Sequence, residues 1–460
     1  MPQEVSVTSH SWLGALKVYT KPETLRMFFL GFSSGLPLLL VLGTLSFWLR
    51  EAGVELSTIG MVTWVGLAYG FKWVWSPLVD KIHLPLLTSS LGRRRSWLLF
   101  SQCLVLCSLI GMAMTDPKES LAVLIGLTAL TAFASATQDI ALDAYRIESA
   151  SMTEQAALAA TYQTGYRLAM IWAGAGALAL AAHFSAEGSQ YDFFGWQMAY
   201  YIMAASMSVG IMTVLVSPEP EQANQKQVSE QTIERLRNCR EKHPQWSERR
   251  VHTSVWFYEA GCLPFIDFFS RYRWQALIVL ALIATYRISD VVMGVMANPF
   301  YQDLGFTKEE VAAVSKVFGV VMTLAGAFIG GMISARFGVM KTLFLGALLS
   351  SLTNLLFSWL ATQGHHVPYL VFTVSADNLA AGIASVAFLA YLSGLTNVAY
   401  TATQYALFSS IMLLLPKFLA GFSGFAVESI GYSQFFVATA LIGLPVLLLV
   451  LWASKIKARY

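Results

Sequence analysis

Two carboxylates, Asp139 and Asp143, lie four residues apart in the segment SATQDIALDAYRIE, which directly follows a long uncharged apolar run. Residues four apart share one face of an α-helix, so the two side chains are predicted to lie close together. Like charges repel at that distance, and apolar surroundings disfavour the ionised form of a carboxyl group. One group of the pair could therefore hold a proton near neutral pH. We predict that Asp139 and Asp143 are a proton-coupling pair.

A structural role is the alternative for Asp143, which comes close to the end of the predicted helix. Arg146 and neighbouring charges could form a cluster there that only stabilises the fold. Asp139 lies one turn deeper, so we expect it to be the principal proton carrier and Asp143 to tune it. When the proton leaves, Lys72 or Arg167 is predicted to pair with the negative charge that remains on the carboxylate.

Other polar side chains within apolar segments are candidates for binding a solute. A charged side chain in the middle of a membrane helix costs about 2.5–3.5 kcal/mol, so each one suggests a partner or a polar cavity. Gln and Tyr at such positions can hydrogen-bond the hydroxyl or amide groups of a solute. Arg287 is the predicted anion-recognising group, because its planar guanidinium suits a carboxylate. The substrate-binding candidates are Gln138, Lys72, Gln163, Tyr166, Arg167, Arg287, Asp290, Asp377 and Gln404.

The elements that must position these residues are predicted to be membrane helices. The chain has 460 residues, of which 56% are hydrophobic and 12% charged, whereas soluble domains average about 25% charged. Long apolar stretches recur throughout and predict an all-α polytopic membrane protein. The predicted spans are about 26–49, 56–80, 96–115, 120–147, 153–183, 195–216, 274–300, 307–334, 339–362, 367–393, 401–425 and 431–454.

The basic residues are distributed very unevenly between the two sides of this predicted topology. Most Lys and Arg residues fall in the N-terminal segment, in the connections that follow spans 2, 4, 6 and 8, and in the C-terminal segment. The positive-inside rule therefore predicts that both termini are cytoplasmic. The same charge explains the basic connection between the sixth and seventh spans, so we expect no nucleic-acid partner.

That connection, residues 217–273, is predicted to divide the chain into two six-helix halves, 1–216 and 274–460. It contains PFIDFFSRYRW, which is typical of an interfacial helix. The halves share a weak internal repeat, because residues 50–62 resemble residues 302–314. Transporters built from such repeats bind their substrate near the midplane, between the halves.

Several other classes of protein are excluded or disfavoured by motifs that the sequence lacks. It contains no GxxxxGK(S/T) phosphate-binding loop, no HExxH motif and no GxSxG motif. Its four cysteines form no CxxC pair. We therefore expect a monomeric carrier that is not an enzyme and needs no cofactor or metal, with the lipid bilayer, a solute and protons as its partners.

Motifs along nearly the whole chain resemble those of the AmpG-type muropeptide permeases of the major facilitator superfamily. In this family the carboxylates of the QDIxxDA motif are essential, which carries over onto Asp139 and Asp143. Arg287 stands where the family often has Lys, and Asp377 where it often has Glu. Many members carry two further spans after the position of Tyr460. The matching stretches are GFSSGLPL, GLAYGFKWVWSPLVD, GRRRSWLL, ATQDIALDA, GYRLAM, GWQMAY, PFIDFFSR, YRISD, ADNLAAGIASVAFLAYL and ATQYALFS.

The resemblance implies a fold of twelve helices in a bacterial inner membrane and proton-driven import of anhydro-muropeptides from periplasm to cytoplasm. These solutes are N-acetylglucosaminyl-anhydro-N-acetylmuramic acid with or without its peptide. Peptidoglycan recycling, and through it β-lactamase induction and antibiotic resistance, would follow. Two alternatives remain open: a related permease for a siderophore or another bulky solute, and a transport-inactive membrane sensor.

Overall fold

The computed structural model describes residues 18–186, 191–220, 225–306 and 308–456, and the regular elements in this part of the chain are helices. Eleven of these helices are long and apolar enough to cross a membrane. One of the eleven, Glu248–Ala297, joins part of the central connection to the seventh span. The remaining predicted span, 56–80, is present as a series of short helical elements. The prediction of an all-α polytopic membrane protein is confirmed.

We number the membrane helices α1 to α12 in chain order. Those of the first half are α1 (Pro22–Glu51), α2 (56–81), α3 (Arg93–Ala113), α4 (Pro117–Glu148), α5 (Gln155–Phe184) and α6 (Phe193–Val216). Those of the second half are α7 (276–303), α8 (308–337), α9 (Val339–Gln363), α10 (Val367–Leu395), α11 (Val398–Ala420) and α12 (Ser423–Ala453). The connection between them contains the helices Gln225–Lys242, Glu248–Phe257 and Leu263–Tyr272.

Helices α2 and α7 are interrupted near candidate site residues. Helix α2 changes between α-helical and 3₁₀ segments along 56–81, a stretch that contains Gly66, Gly70 and Pro77. Glycine and proline are the least favourable residues in a helix interior. Helix α7 consists of Ala276–Thr285 and Ile288–Asp303, which are separated by a two-residue break. The charged residue of that break is Arg287, so the interruption coincides with a candidate site residue.

Close packing of α1 against α5 depends on glycine. A Cβ atom at Gly31 or Gly35 would overlap the backbone of α5, and one at Gly165 would overlap the backbone of α1. Small residues allow membrane helices to approach this closely. The approach places the polar face of α1, which carries Ser34, beside Tyr162 of α5.

The two halves contact each other near the end of the bundle that carries the described chain ends, which we call the terminal side; the opposite end is the far side. A small apolar cluster joins Ala156 and Ala160 of α5 to Ala327 of α8 and Ala390 of α10. A second cluster brings residues of α11 against α2, α3 and α4. The halves therefore meet on the terminal side. The division of the chain at 217–273 stays a prediction.

Candidate functional site

Hydroxyl groups surround Asp139 in the first half. Ser34 Oγ of α1 donates a hydrogen bond to Asp139 Oδ1 at 2.5 Å, and Ser34 Oγ lies 3.4 Å from the hydroxyl of Tyr162. The charge of Asp139 also acts on the hydroxyls of Tyr69 and Tyr166. Asp139 is only half-buried and forms no ion pair within the described part of the chain. It is therefore a carboxyl group whose direct hydrogen-bond partner is a neutral hydroxyl.

Asp143 has a different environment, although it lies only one turn away. Lys72 Nζ of α2 lies 3.6 Å from Asp143 Oδ2, and Arg146 Nη2 lies 3.5 Å from Asp143 Oδ1. Arg146 in turn donates to Ser393 Oγ of α10 at 3.0 Å and lies over the ring of Tyr405 of α11. Asp143 thus belongs to a charge cluster that joins the two halves. This geometry favours the structural alternative for Asp143.

A second charge cluster joins α2 to the start of α11. Asp80 is buried and accepts hydrogen bonds from the backbone N–H of Thr403 at 2.8 Å and from its Oγ1 at 2.7 Å. A carboxylate at a helix N-terminus is stabilised by the unpaired N–H groups and the helix dipole. Arg94 of α3, which is fully buried, binds both Asp80 at 2.8 Å and Glu148 at 2.6 Å. Together with the Arg146 cluster, these bonds close the terminal side.

The second half carries its own polar group around the break in α7. Arg287 Nη1 donates to Ser385 Oγ of α10 at 2.9 Å, and its Nε lies 3.5 Å from Asp290 Oδ2. That Nε atom makes no hydrogen bond within the described residues. Asp377 of α10 accepts a hydrogen bond from Thr353 Oγ1 of α9 at 3.0 Å, and the charges of Asp290 and Arg287 act on it. The structure thus brings Arg287, Asp290 and Asp377 together, as one group.

Gln163 and Arg167 lie on α5, beyond the point where the halves meet. Ala156 and Ala160 precede them on the same helix face and pack against the second half. Gln163 is half-buried, whereas Arg167 is exposed although it lies in the middle of the helix. Arg287 donates to Ser385 of α10, whose neighbour Val386 belongs to the same apolar cluster, so Arg167 and Arg287 lie on the facing sides of the two halves, next to their contact. We call the region between these two sides, beyond the terminal contacts, the cleft.

Two glutamine candidates are already engaged inside the protein. Gln138 is fully buried and donates to Ser33 Oγ of α1 at 2.7 Å. Gln404 is also buried; its Nε2 donates to Pro264 O at 2.8 Å and to Asp267 Oδ2 at 2.9 Å, while its Oε1 accepts from Arg271 at 3.1 Å. These contacts favour packing roles in this conformation, with Gln404 holding the central connection against α11.

Sequence reasoning did not identify Ser34, Tyr162, Thr353 and Ser385 as site residues. Serine and threonine are common within apolar helices, where a bond to the local backbone is the usual expectation. Their importance lies in a partner on another helix, which is a carboxylate for Ser34 and Thr353 and a guanidinium for Ser385, while Tyr162 lies beside Ser34. The quoted stretch GFSSGLP contains Ser34, but its small residues are equally well explained by helix packing.

Comparisons with known proteins agree with this architecture. The profile of the Major Facilitator Superfamily matches residues 27–289 and 277–459. The transporter AmpG 4 of Rickettsia felis is 34% identical over 439 residues, covering 95% of this chain and 98% of that protein. The anhydromuropeptide permease of Escherichia coli K12 is 32% identical over 437 residues, covering 95% of this chain and 80% of that protein.

Solved structures share the fold at low sequence identity. The proton:xylose symporter XylE matches with a TM-score of 0.66 and 13% identity, over 95% of each chain. The transporter FucP in its outward conformation matches with a TM-score of 0.66 and 13% identity, over 95% of this chain and 100% of that chain. The predicted transporter fold with two six-helix halves is confirmed, and the chain is a carrier rather than an enzyme. The chain belongs to the major facilitator superfamily and, within it, to the AmpG-type transporters.

Proposed function

We propose that the chain imports anhydro-muropeptides by proton symport, for peptidoglycan recycling. The observation that carries the substrate class is the 32% identity to the Escherichia coli anhydromuropeptide permease along 95% of this chain. The anhydromuramic acid unit carries a lactyl carboxylate in the peptide-free form, and peptide-bearing forms carry further carboxylates. The cleft offers two guanidinium groups for such anions, those of Arg167 and Arg287.

Arg287 is the proposed primary contact for a substrate carboxylate. Its Nη1 is oriented by Ser385 on α10, and its Nε lies 3.5 Å from Asp290 Oδ2. An arginine side chain can use two N–H groups on a carboxylate, whereas lysine offers a point charge. Gln163 and Tyr166, on the cleft-facing part of α5, supply amide and hydroxyl groups for the acetamido and hydroxyl groups of the sugars.

Asp139 is the proposed proton carrier. Ser34 is its one hydrogen-bond partner among the described residues, and a hydroxyl can serve either the neutral or the ionised carboxyl group. Asp143, by contrast, is held by two cations. The charge of Lys72 acts on both carboxylates, so Lys72 can stabilise Asp139 when its proton leaves. An inward proton gains about 2.3 kcal/mol per 100 mV of membrane potential.

The proposed direction follows from the charge distribution. The terminal side carries the basic loops, so the positive-inside rule assigns it to the cytoplasm of a bacterial inner membrane. The contacts of Asp80 with Thr403 and of Arg146 with Ser393 then close the cytoplasmic side. In this conformation the cleft would receive a solute from the periplasm, and import requires those contacts to break while the far side closes.

Uptake by purified protein in liposomes tests this function directly. We expect N-acetylglucosaminyl-anhydro-N-acetylmuramic acid to accumulate only in protein-containing vesicles, and more strongly when the outside is made acidic. A ferric siderophore under the same gradient serves as the comparison solute. If the siderophore accumulates and the muropeptide does not, the protein is a permease of the alternative class. Absence of any gradient-driven uptake would support the transport-inactive sensor and contradict the proposal.

A further inference from the structure

Arg167 continues a line of interface residues along α5. Ala156, Ala160, Gln163 and Arg167 recur at helical spacing on one face. The first two pack against Ala327 of the second half. At a rise of 1.5 Å per residue, Arg167 lies roughly 10 Å further along the helix than Ala160, toward the far side. It therefore occupies the face that meets the second half, at the level where the cleft is open.

Arg167 has no anionic partner among the residues that the structure describes. It forms no hydrogen bond or ion pair in the part of the chain that the structure describes, and it is exposed. Arg287 of the other half carries the same charge, and Ser385, which accepts its hydrogen bond, adjoins Val386 of the apolar cluster that covers the same face of α5. Arg287 is itself only partly neutralised, because Asp290 lies 3.5 Å from its Nε. The nearest carboxylates of the first half are committed to Ser34 in one case and to Lys72 and Arg146 in the other.

We propose that Arg167 and Arg287 form an electrostatic check on closure of the far side, released only by an anionic solute between them. Import by an alternating-access carrier brings the two halves together on the far side, and the proposal rests on that part of the proposed function. Closure of an empty cleft would move two guanidinium groups toward each other as solvent is expelled, and like charges interact more strongly as the dielectric falls. A carboxylate bound between them reverses the sign of this interaction.

Because of this check, a solute must carry a negative charge as well as the right shape in order to be transported. A sugar with the same outline but no carboxylate would bind without closing the cleft. The empty carrier would remain open on the far side, so it would not cycle protons across the membrane without cargo. Arg167 is therefore a specificity-determining residue. It acts together with Arg287, which contacts the solute from the other half.

The test measures closure without relying on transport. Spin labels at Met61 of α2 and Phe418 of α11, both exposed and both toward the far side, report the separation of the halves in full-length protein whose native cysteines are replaced by serine. Arg167→Gln and Arg167→Met remove the charge, and Arg167→Lys keeps it. Thr164→Val, three residues before Arg167 on the same helix, is the matched control without a change of charge, because Thr164 Oγ1 donates to Ala160 O at 2.8 Å within α5.

We expect both neutral Arg167 variants to raise the closed population at least about tenfold without any solute, while Arg167→Lys and Thr164→Val leave it near that of the protein with the unchanged sequence. In the protein that keeps Arg167, N-acetylglucosaminyl-anhydro-N-acetylmuramic acid should close the cleft, and its neutral methyl ester should not. In Arg167→Gln the acid and the ester should act alike.

Two outcomes would overturn the check: an unchanged solute-free distance distribution in both neutral variants, or equal closure by acid and ester when Arg167 is present. A failure of the proposed substrate looks different. In that case the solute-free populations still shift in the neutral variants, while the muropeptide acid has no effect on any form of the protein. The second variant, Arg167→Met, separates loss of charge from any particular effect of glutamine.

Discussion

Removal of the hydrogen bond from Thr403 to Asp80 should weaken the contact between the two halves on the terminal side. Thr403 Oγ1 on α11 donates to Asp80 Oδ2 on α2 at 2.7 Å, so this bond joins the two halves. Thr403→Val replaces the hydroxyl by a methyl group of similar size and leaves the backbone N–H of residue 403, 2.8 Å from the same oxygen, in place. The bond must break when the terminal side opens, whereas the bond from Arg94 to Asp80 lies within the first half and persists.

The size of the effect follows from the type of bond that is lost. A hydrogen bond to a charged group contributes about 1.5–3 kcal/mol. The lower end applies to Thr403→Val, since the carboxylate keeps its other partners, and about 1.4 kcal/mol corresponds to a tenfold change in an equilibrium. Asp80→Asn should change the free energy of opening by more, about 3 kcal/mol. It weakens the bonds from two backbone N–H groups and also removes the negative charge that the helix N-terminus stabilises.

Spin labels at Ser90 and Lys341, exposed on the terminal side of opposite halves, measure this equilibrium. We expect Thr403→Val to raise the terminal-open population about tenfold and Asp80→Asn to raise it more. Thr401→Val is the matched control, because Thr401 Oγ1 donates to Val398 O at 3.0 Å within the same half. Equal populations in Thr403→Val and Thr401→Val, or a smaller effect of Asp80→Asn than of Thr403→Val, would refute the reasoning.

Three further predictions concern recognition, coupling and topology. Arg287→Ala should weaken muropeptide binding strongly and Arg287→Lys less so, as measured by calorimetry; normal binding by Arg287→Ala would leave this residue only a partner of Asp290. Asp143→Asn should retain proton-coupled uptake in liposomes but shift its pH optimum, because the charges of Lys72 and Arg146 then lack their common carboxylate; loss of coupling would contradict the assignment to Asp139. A C-terminal reporter that is active only in the periplasm should stay silent, and a signal from it would overturn the assigned orientation.

The fold could be predicted well from the sequence because membrane helices follow from local composition. Apolar length predicts a span without knowledge of its neighbours. The predicted span 56–80, which is present as a series of short helical elements, contains the glycines at 66 and 70 and carries Lys72. The precise 3₁₀ segments there depend on packing against other helices, which local composition does not encode.

The candidate site was predicted in part, since residue type and depth identify groups that need a partner but not which partner they have. Helical spacing placed Asp139 and Asp143 on one face, yet Ser34 binds the first and Lys72 the second. Ser34 lies on α1 and Lys72 on α2, whereas both aspartates lie on α4. Gln404 illustrates the same limit: a buried amide in a span is compatible with solute binding or with packing, and its bonds to Asp267 and Arg271 favour packing.

Proton coupling through Asp139 is the central claim, and uptake by Asp139→Asn in liposomes tests it most directly. The substitution mimics the protonated carboxyl group, and a neutral amide costs less to embed than an ion. We predict normal expression and normal exchange of muropeptide across the bilayer, with no accumulation driven by a pH gradient. Asp116→Asn is the matched control on the same helix, because asparagine can replace aspartate as the N-cap of α4. Concentrative, pH-driven uptake by well-expressed Asp139→Asn would contradict the account.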